Sequence, residues 1–388
     1  PFFHQQSSCP YSYFYLSCRF LFLFYNPCQN SLFGFLNMIF FFISIFVSFI
    51  ISLFLTPAVR NFFISRHWVE DPVVKNQKTH NATAVSPVPR GGGIPIFVAI
   101  TVTSLLLLPL DKHLLGILLA ALVSLVVGVW DDIKDISPLS RFLTNILAAL
   151  IVVGSGIGIA YISNPFTGGV FDLSFLKINF NFLGDHSIWV ISDLIAIVWI
   201  VWCMNIVGWA TGVDGQLPGF TAISAFFIGL IGFRYSTDIT QWPVIILSGA
   251  VCGAYLGFLP FNFFPQSIMP GYSGKSLAGF FLAVLSILSG AKMATLLFLL
   301  AIPMIDAVYA IVRRLIHHRP IYLGDGQHFH HQLLKQGFSR RSIALIYWSF
   351  SLILGLISLF LNSSQKAYVF IWFAFLFFSF LFHFSRRN

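Results

Sequence analysis

The sequence predicts an all-α, polytopic integral membrane protein of about eleven transmembrane helices, N-terminus outside and C-terminus cytoplasmic. Three observations predict it. The 388 residues are 57% hydrophobic and 9% charged, where a soluble domain carries about 25% charged residues. Apolar stretches of bilayer-spanning length recur along the chain. Lys and Arg separate between alternate loops: sixteen fall in one set and five in the other, with Arg19 completing the 22. The richer set belongs in the cytoplasm, which fixes the orientation.

Residues 1–37 differ from the rest. They hold three of the five cysteines and mix Ser, Gln, Asn and Tyr with aromatics. They read as an upstream or leader segment outside the fold, with Met38 as the natural start of a single transmembrane domain, 38–388. A basic start and a small-residue cleavage site are lacking, so a signal peptide is not indicated. The expected spans are Met38–Thr56, Ile94–Leu110, Leu114–Trp130, Phe142–Ile162, Ile188–Met204, Gly219–Phe233, Trp242–Leu259, Leu277–Leu288, Ala291–Val312, Ile343–Leu361 and Ala367–Phe384. Cys203 and Cys252 lie near cytoplasmic helix ends, where no disulfide is expected. The net charge of +9 then reflects topology and attraction to anionic lipids or phosphates, not a nucleic-acid surface.

Polar clusters fall almost wholly in the cytoplasmic loops. Lys78-Thr79-His80 and Pro89-Arg90-Gly91-Gly92-Gly93 lead into the second span. Glycines admit close backbone approach and Arg suits a phosphate, although such a run is also an ordinary turn. The third span ends in Trp130-Asp131-Asp132-Ile133-Lys134-Asp135. Carboxylates at a helix C-terminus oppose the helix dipole, and adjacent ones resist ionising together unless a cation joins them. A divalent metal or a proton-transfer role would explain the pair; a solvated stop signal would also do. Ser137 as N-cap and Pro138 at the first helical position should start the next span and keep the acidic loop short.

Asn205 and Asp214-Gly215 lie in a glycine-rich segment after the fifth span, as groups able to read a base or sugar or as turn-formers. Asn262 and Gly274-Lys275-Ser276 follow the seventh. A P-loop is excluded there because its first glycine would fall on Met269. Lys275 could still contact a phosphate. Asp325 with His328, His330 and His331 could bind a metal, hold a diphosphate, or form a wet surface. Asp306 lies inside a span, where a carboxylate must face the bundle, and its expected partner is Arg313 or Arg314.

In order and sidedness these segments resemble the polyprenyl-phosphate N-acetylhexosamine-1-phosphate transferase superfamily. The resemblance rests on Lys78-x-His80 with Pro89-Arg90-x-Gly92-Gly93, Asp131-Asp132, Asp214-Gly215, Gly257–Asn262, Pro303-x-x-Asp306 and Asp325-x-x-His328-x-His330-His331. It covers essentially Met38 to the C-terminus, and the His-x-His-His form is closer to the N-acetylglucosamine branch. It implies transfer of an N-acetylhexosamine 1-phosphate from a UDP-sugar to polyprenyl phosphate at the cytoplasmic face of the cell membrane, releasing UMP and initiating cell-wall or surface-glycan synthesis. It also implies Mg²⁺ or Mn²⁺ on Asp131, Asp132 and Asp214. Catalytic roles then fall to Asp131, Asp132, His328, His330 and His331, and substrate contacts to Lys78, Arg90, Asn205, Asn262, Lys275 and Asp325. A homodimer is left open, and nucleic acid is not an expected partner.

The sequence also departs from that family. Gly208 stands where the family has Asn. Thr211 and Tyr272 each stand where it has Asp, the latter a metal ligand. Lys275 brings a positive charge into the loop that lost an Asp, and could neutralise phosphate charge there. A lipid-linked-sugar transporter would place ionisable groups near mid-membrane, against the pattern seen. A catalytically silent relative is the other alternative, motivated by Gly208, Thr211 and Tyr272.

Overall fold

A computed structural model describes residues 31–73, 86–164, 167, 169–181, 185–209, 211–235, 241–289, 292–320 and 326–387. Lys78 and Asp325 lie outside the described residues. In chain order the helices are α1 (Ser31–Ser65), α2 (Gly93–Leu107), α3 (Lys112–Lys134), α4 (Pro138–Gly154), α5 (Val190–Trp209), α6 (Gln216–Gly232) and α7 (Gln241–Asn262). There follow α8 (Gly271–Leu288), α9 (Lys292–Leu299), α10 (Ala301–Ile316), α11 (Phe329–Lys335), α12 (Arg340–Ser358) and α13 (Ser363–Arg387).

Seven of these, α1, α3, α5, α7, α8, α12 and α13, contain stretches long and apolar enough to cross a membrane. The pair α9–α10, bent by 84°, makes an eighth if it is one span. Each of the eleven expected stretches overlies a helix or the bent pair, but length and composition support seven or eight crossings. The difference lies in α2, α4 and α6, which have only 15, 17 and 17 residues, short of the ~20 that span a bilayer upright.

Capping explains several helix starts. Asp111 accepts from Leu114 N at 2.8 Å before α3, Ser137 from Ser140 N at 3.2 Å before α4, and Ser339 from Ser342 N at 3.1 Å before α12. Each satisfies a donor that the first turn leaves unpaired. Several expected boundaries move. The first helix runs from Ser31 to Ser65 rather than Met38 to Thr56, so it begins inside the expected leader segment. The fourth span ends at Gly154 rather than Ile162, α5 ends at Trp209 rather than Met204, and α8 begins at Gly271 rather than Leu277, so Lys275 is helical.

The all-α expectation needs one amendment. Three short antiparallel ladders join β1 (Val69–Glu70) to β2 (Val88–Pro89), β3 (Tyr161–Ser163) to β4 (Val170–Asp172), and β5 (Lys177–Asn181) to β6 (Asp185–Trp189). The last two fill the α4–α5 connection, where Lys177-Ile178-Asn179-Phe180 alternates polar and apolar residues at the period of a strand.

Helix packing relies on small residues. On α7, Gly249, Gly253 and Gly257 recur every four residues, and a methyl added at each would strike α1 at Ser44, the Ile45 carbonyl and the Phe49 carbonyl. Ser48 Oγ donates across the same interface to the Ala250 carbonyl at 2.6 Å. Such stripes let backbones approach where the lipid supplies little drive for helix association. Next to them, α8 packs against α2, α3, α5, α6 and α7. Its first turn is therefore placed by most of the bundle.

Candidate active site

The end of α3 and the start of α8 meet through Asp132. Its Oδ1 accepts from Tyr272 N at 2.6 Å, while Oδ2 accepts from Ser273 Oγ at 2.5 Å and Ser273 N at 3.3 Å. A carboxylate from α3 thus caps α8, meeting its unpaired first-turn amides and positive dipole end. Gly271 permits the approach. Its φ is +66°, and a Cβ there would overlap Asp132 and the Arg90 carbonyl.

Asp131 faces two guanidiniums. Its Oδ1 accepts from Arg141 Nε at 2.7 Å and from Ile136 N at 3.0 Å, and Oδ2 lies 3.6 Å from Arg90 Nη2. That Oδ2 is buried without a hydrogen-bond partner. Arg90 also reaches Asp135 at 2.7 Å, Glu70 at 3.3 Å and Asp132 at 3.6 Å. Burial opposes the charge of Arg90, yet Asp132, Glu70 and Asp135 raise its pKa above the ordinary arginine value. Arg141 lies over the Tyr272 ring, 5.3 Å from its centroid.

The expected glycine-rich approach packs on protein. Cβ atoms at Gly92 and Gly93 would overlap Phe258, the Met269 carbonyl and Ser273, and Gly92 N donates to the Met269 carbonyl at 3.1 Å. These glycines bring α2 onto α8 and place Arg90 among the carboxylates.

From Tyr272 and Ser273 the contacts continue along α8 to Lys275, whose Nζ donates to the Thr211 carbonyl at 2.8 Å. The adjoining Gly212 lies flat against His330, and a side chain at 212 would overlap the imidazole. His330 is buried with neither ring nitrogen hydrogen-bonded. Its ring stacks on His328 at 6.0 Å and lies 4.2 Å from that of His331. Burial, then the charges of His331, His328 and Lys275, hold its pKa well below the usual histidine value, so the ring is neutral at pH 7.

Asp214 is 4% exposed, with Arg340 Nη1 3.6 Å from an Oδ1 that has no hydrogen-bond partner. Burial raises its pKa, and Arg340 opposes the shift. Gly215, at φ +77°, turns the chain into α6 and donates its N–H to Asn262 Oδ1 at 3.0 Å. Asn262 Nδ2 donates to Gln266 Oε1 at 2.9 Å and the Ile268 carbonyl at 3.0 Å. Asn262 thus braces two loops. Asn205 back-bonds to the Val201 carbonyl of its own helix at 2.7 Å.

Asp306, expected on Arg313 or Arg314, instead accepts from Phe329 N at 2.9 Å and pairs with His328 Nδ1 at 2.9 Å. It anchors α11 and orients the histidine run. Both expected cysteines are free and buried.

The expected metal set fares differently. Asp131, Asp132 and Asp214 each face an arginine, and Asp132 is further committed to the α8 backbone. Tyr272 directs its hydroxyl to Asn145 Oδ1 at 3.0 Å, and Thr211 back-bonds to the Val207 carbonyl at 2.8 Å. Among the described residues, no group of three His, Cys, Asp or Glu side chains could hold a metal ion. The donors among the described residues, so committed, do not fit a resident Mg²⁺ or Mn²⁺.

In the sequence Arg141 and Arg340 stand only as loop charges. Ser137, readable there as an N-cap, and Ser339, an N-cap that the structure reveals, start α4 and α12 beside them. Ser273 and Glu70 carried no comparable signal.

Comparison with known proteins identifies the family. Residues 114–290 match the family model described as glycosyl transferase family 4. The Bacillus subtilis protein named "Probable undecaprenyl-phosphate N-acetylglucosaminyl 1-phosphate transferase" is 28% identical, over 83% of this chain and 86% of its own length. A decaprenyl-phosphate N-acetylglucosaminephosphotransferase of Mycobacterium tuberculosis is 30% identical over 68% of this chain and 70% of its own. A phospho-N-acetylmuramoyl-pentapeptide-transferase of Chloroherpeton thalassium is 28% identical over 80% and 89%. With a family model on its central helices and relatives along most of its length, this chain belongs to glycosyl transferase family 4.

Proposed function

We propose that the chain transfers N-acetylhexosamine 1-phosphate, with GlcNAc 1-phosphate the first choice, from a UDP-sugar to a polyprenyl phosphate. UMP is the second product, and the reaction opens a cell-wall or surface-glycan pathway. The observation that carries this reading is the start of α8, where Ser273 bonds Asp132 and Lys275, two residues on, bonds the Thr211 carbonyl next to Gly212, which lies against His330. Acidic, cationic and imidazole groups thereby meet around one helix end. The two relatives named for N-acetylglucosamine support the choice of sugar. Charge sorting between loops supports a cytoplasmic active site, and an acceptor with a long apolar tail accounts for a site at the membrane surface.

Phosphoryl transfer asks the protein chiefly for alignment and charge neutralisation. An oxygen of the lipid phosphate attacks the β-phosphorus of the donor. The bond from that phosphorus to the bridging oxygen breaks, and UMP departs with the electron pair. Asp131 Oδ2, buried and unpartnered, takes a proton if the acceptor arrives as the monoanion. Neutral His330 offers a hydrogen bond to the nucleotide sugar without adding charge.

The experiment is formation of labelled lipid-diphospho-sugar by purified protein from undecaprenyl phosphate and a panel of UDP-sugars. UDP-GlcNAc should give product, and Asp131→Asn should lose about a hundredfold or more, the contribution of a positioned proton acceptor. No lipid-linked product from any donor would end the reading.

A further inference from the structure

The carboxylates that a divalent cation would use are already matched by cations of the chain. Arg141 Nε lies 2.7 Å from Asp131, Arg90 Nε 3.6 Å from Asp132, and Arg340 Nη1 3.6 Å from Asp214. Both oxygens of Asp132 also accept from α8. Mg²⁺ demands octahedral oxygen geometry and is held by one or two carboxylates together with waters and substrate phosphates. The unpartnered oxygens of Asp131 and Asp214 each lie 3.6 Å from a guanidinium nitrogen, whose charge opposes a second cation there.

Tyr272 and Thr211 supply no carboxylate nearby: the Tyr272 hydroxyl bonds Asn145, and the Thr211 hydroxyl bonds the Val207 carbonyl of α5. A positive charge joins the two segments instead. Lys275 lies three residues along α8 from Tyr272, and its ammonium is fixed on the Thr211 carbonyl at 2.8 Å. A lysine ammonium is a compact, strongly hydrated charge with three donors and no acceptor. Gly212, next to the Thr211 carbonyl that Lys275 holds, lies against buried His330, whose ring nitrogens have no hydrogen-bond partner.

We propose, resting on the transferase reading above, that Lys275 performs on the donor's diphosphate the electrostatic work otherwise done by a divalent cation. Turnover then needs no Mg²⁺ or Mn²⁺. As the bond between the β-phosphorus and the bridging oxygen breaks, negative charge grows on the departing UMP. Lys275 stabilises that charge, and no proton has to move because UMP leaves as an anion.

The test compares initial rates of lipid-diphospho-sugar formation in excess EDTA and in saturating Mg²⁺, for wild type, Lys275→Met and Lys275→Arg. The wild-type rates should agree within about twofold, and Lys275→Met should lose about a hundredfold, as loss of a charge-stabilising donor does. Lys275→Arg, which keeps the charge, should retain more activity than Lys275→Met. Wild-type product that requires added Mg²⁺ overturns the proposal, as does an unaltered Lys275→Met. If Lys275→Met does not fold, the wild-type comparison decides alone. Absence of product in every condition sinks the transferase reading itself, a result distinct from product that appears only with metal.

Discussion

The Ser273 hydroxyl donates to Asp132 Oδ2 at 2.5 Å, and the Ser273 backbone N–H reaches the same oxygen at 3.3 Å. The third residue of α8 is thereby clamped to the end of α3. Lys275 lies half a turn further on, so the position of its ammonium depends on this clamp.

Asp132→Asn should destabilise the protein. An amide turns one acceptor into a donor, facing the Tyr272 and Ser273 N–H groups or Arg90. The expected loss is roughly 1–3 kcal/mol, the cost of a buried unsatisfied polar group, read from thermal unfolding in detergent. Ser273→Ala, which removes one bond, should cost about 1 kcal/mol. Wild-type stability in both variants would show that Asp132 does not hold α8 in place.

Arg141→Ala should leave Asp131 with the Ile136 N–H and only the longer contact to Arg90 as a charged partner. Removing one partner of a fully buried pair costs about 3–5 kcal/mol. Because the Arg141 side chain is 32% exposed, solvent screening brings the expectation down to roughly 1–2 kcal/mol. Arg141→Lys should recover part of it, losing the stacking on Tyr272. Equal stabilities for the Ala and Lys variants would contradict an ion-pair role.

Gly253→Leu should separate α7 from α1, because even a methyl at 253 overlaps the Ile45 carbonyl. Overpacking of this kind costs about 1–3 kcal/mol. Yield of monodisperse protein and its unfolding temperature measure it. Unchanged values would refute close backbone contact along the Gly249–Gly257 stripe.

Stability should fall on mild acidification through His330. Its pKa in the fold is held well below the ordinary histidine value, first by burial, then by His331, His328 and Lys275. The unfolded chain therefore binds the proton first as pH drops. Stabilisation from the neutral ring is complete above about pH 6.5 and is lost as pH falls below that value. His330→Gln should show a shallower decline in unfolding temperature between about pH 7 and 5; an identical slope would assign the decline elsewhere.

The sequence by itself determined the membrane character, the place of each apolar helix, and the cap at Ser137. These depend on composition, period and residues a few positions apart. It also marked out Asp131, Asp132, Asp214, Lys275 and His330, because ionisable groups beside apolar runs are costly and therefore conspicuous. Only the tertiary structure decided who answers them. Arg90, Arg141 and Arg340 come from separate segments; Arg90 stood out only as a candidate for phosphate, and nothing local distinguishes Arg141 and Arg340 from topological charges. Packing of α8 against α2 and α3 turned a glycine run expected to approach a ligand into a helix contact. It also turned Asp132, an expected metal ligand, into the cap that sets the first turn of α8.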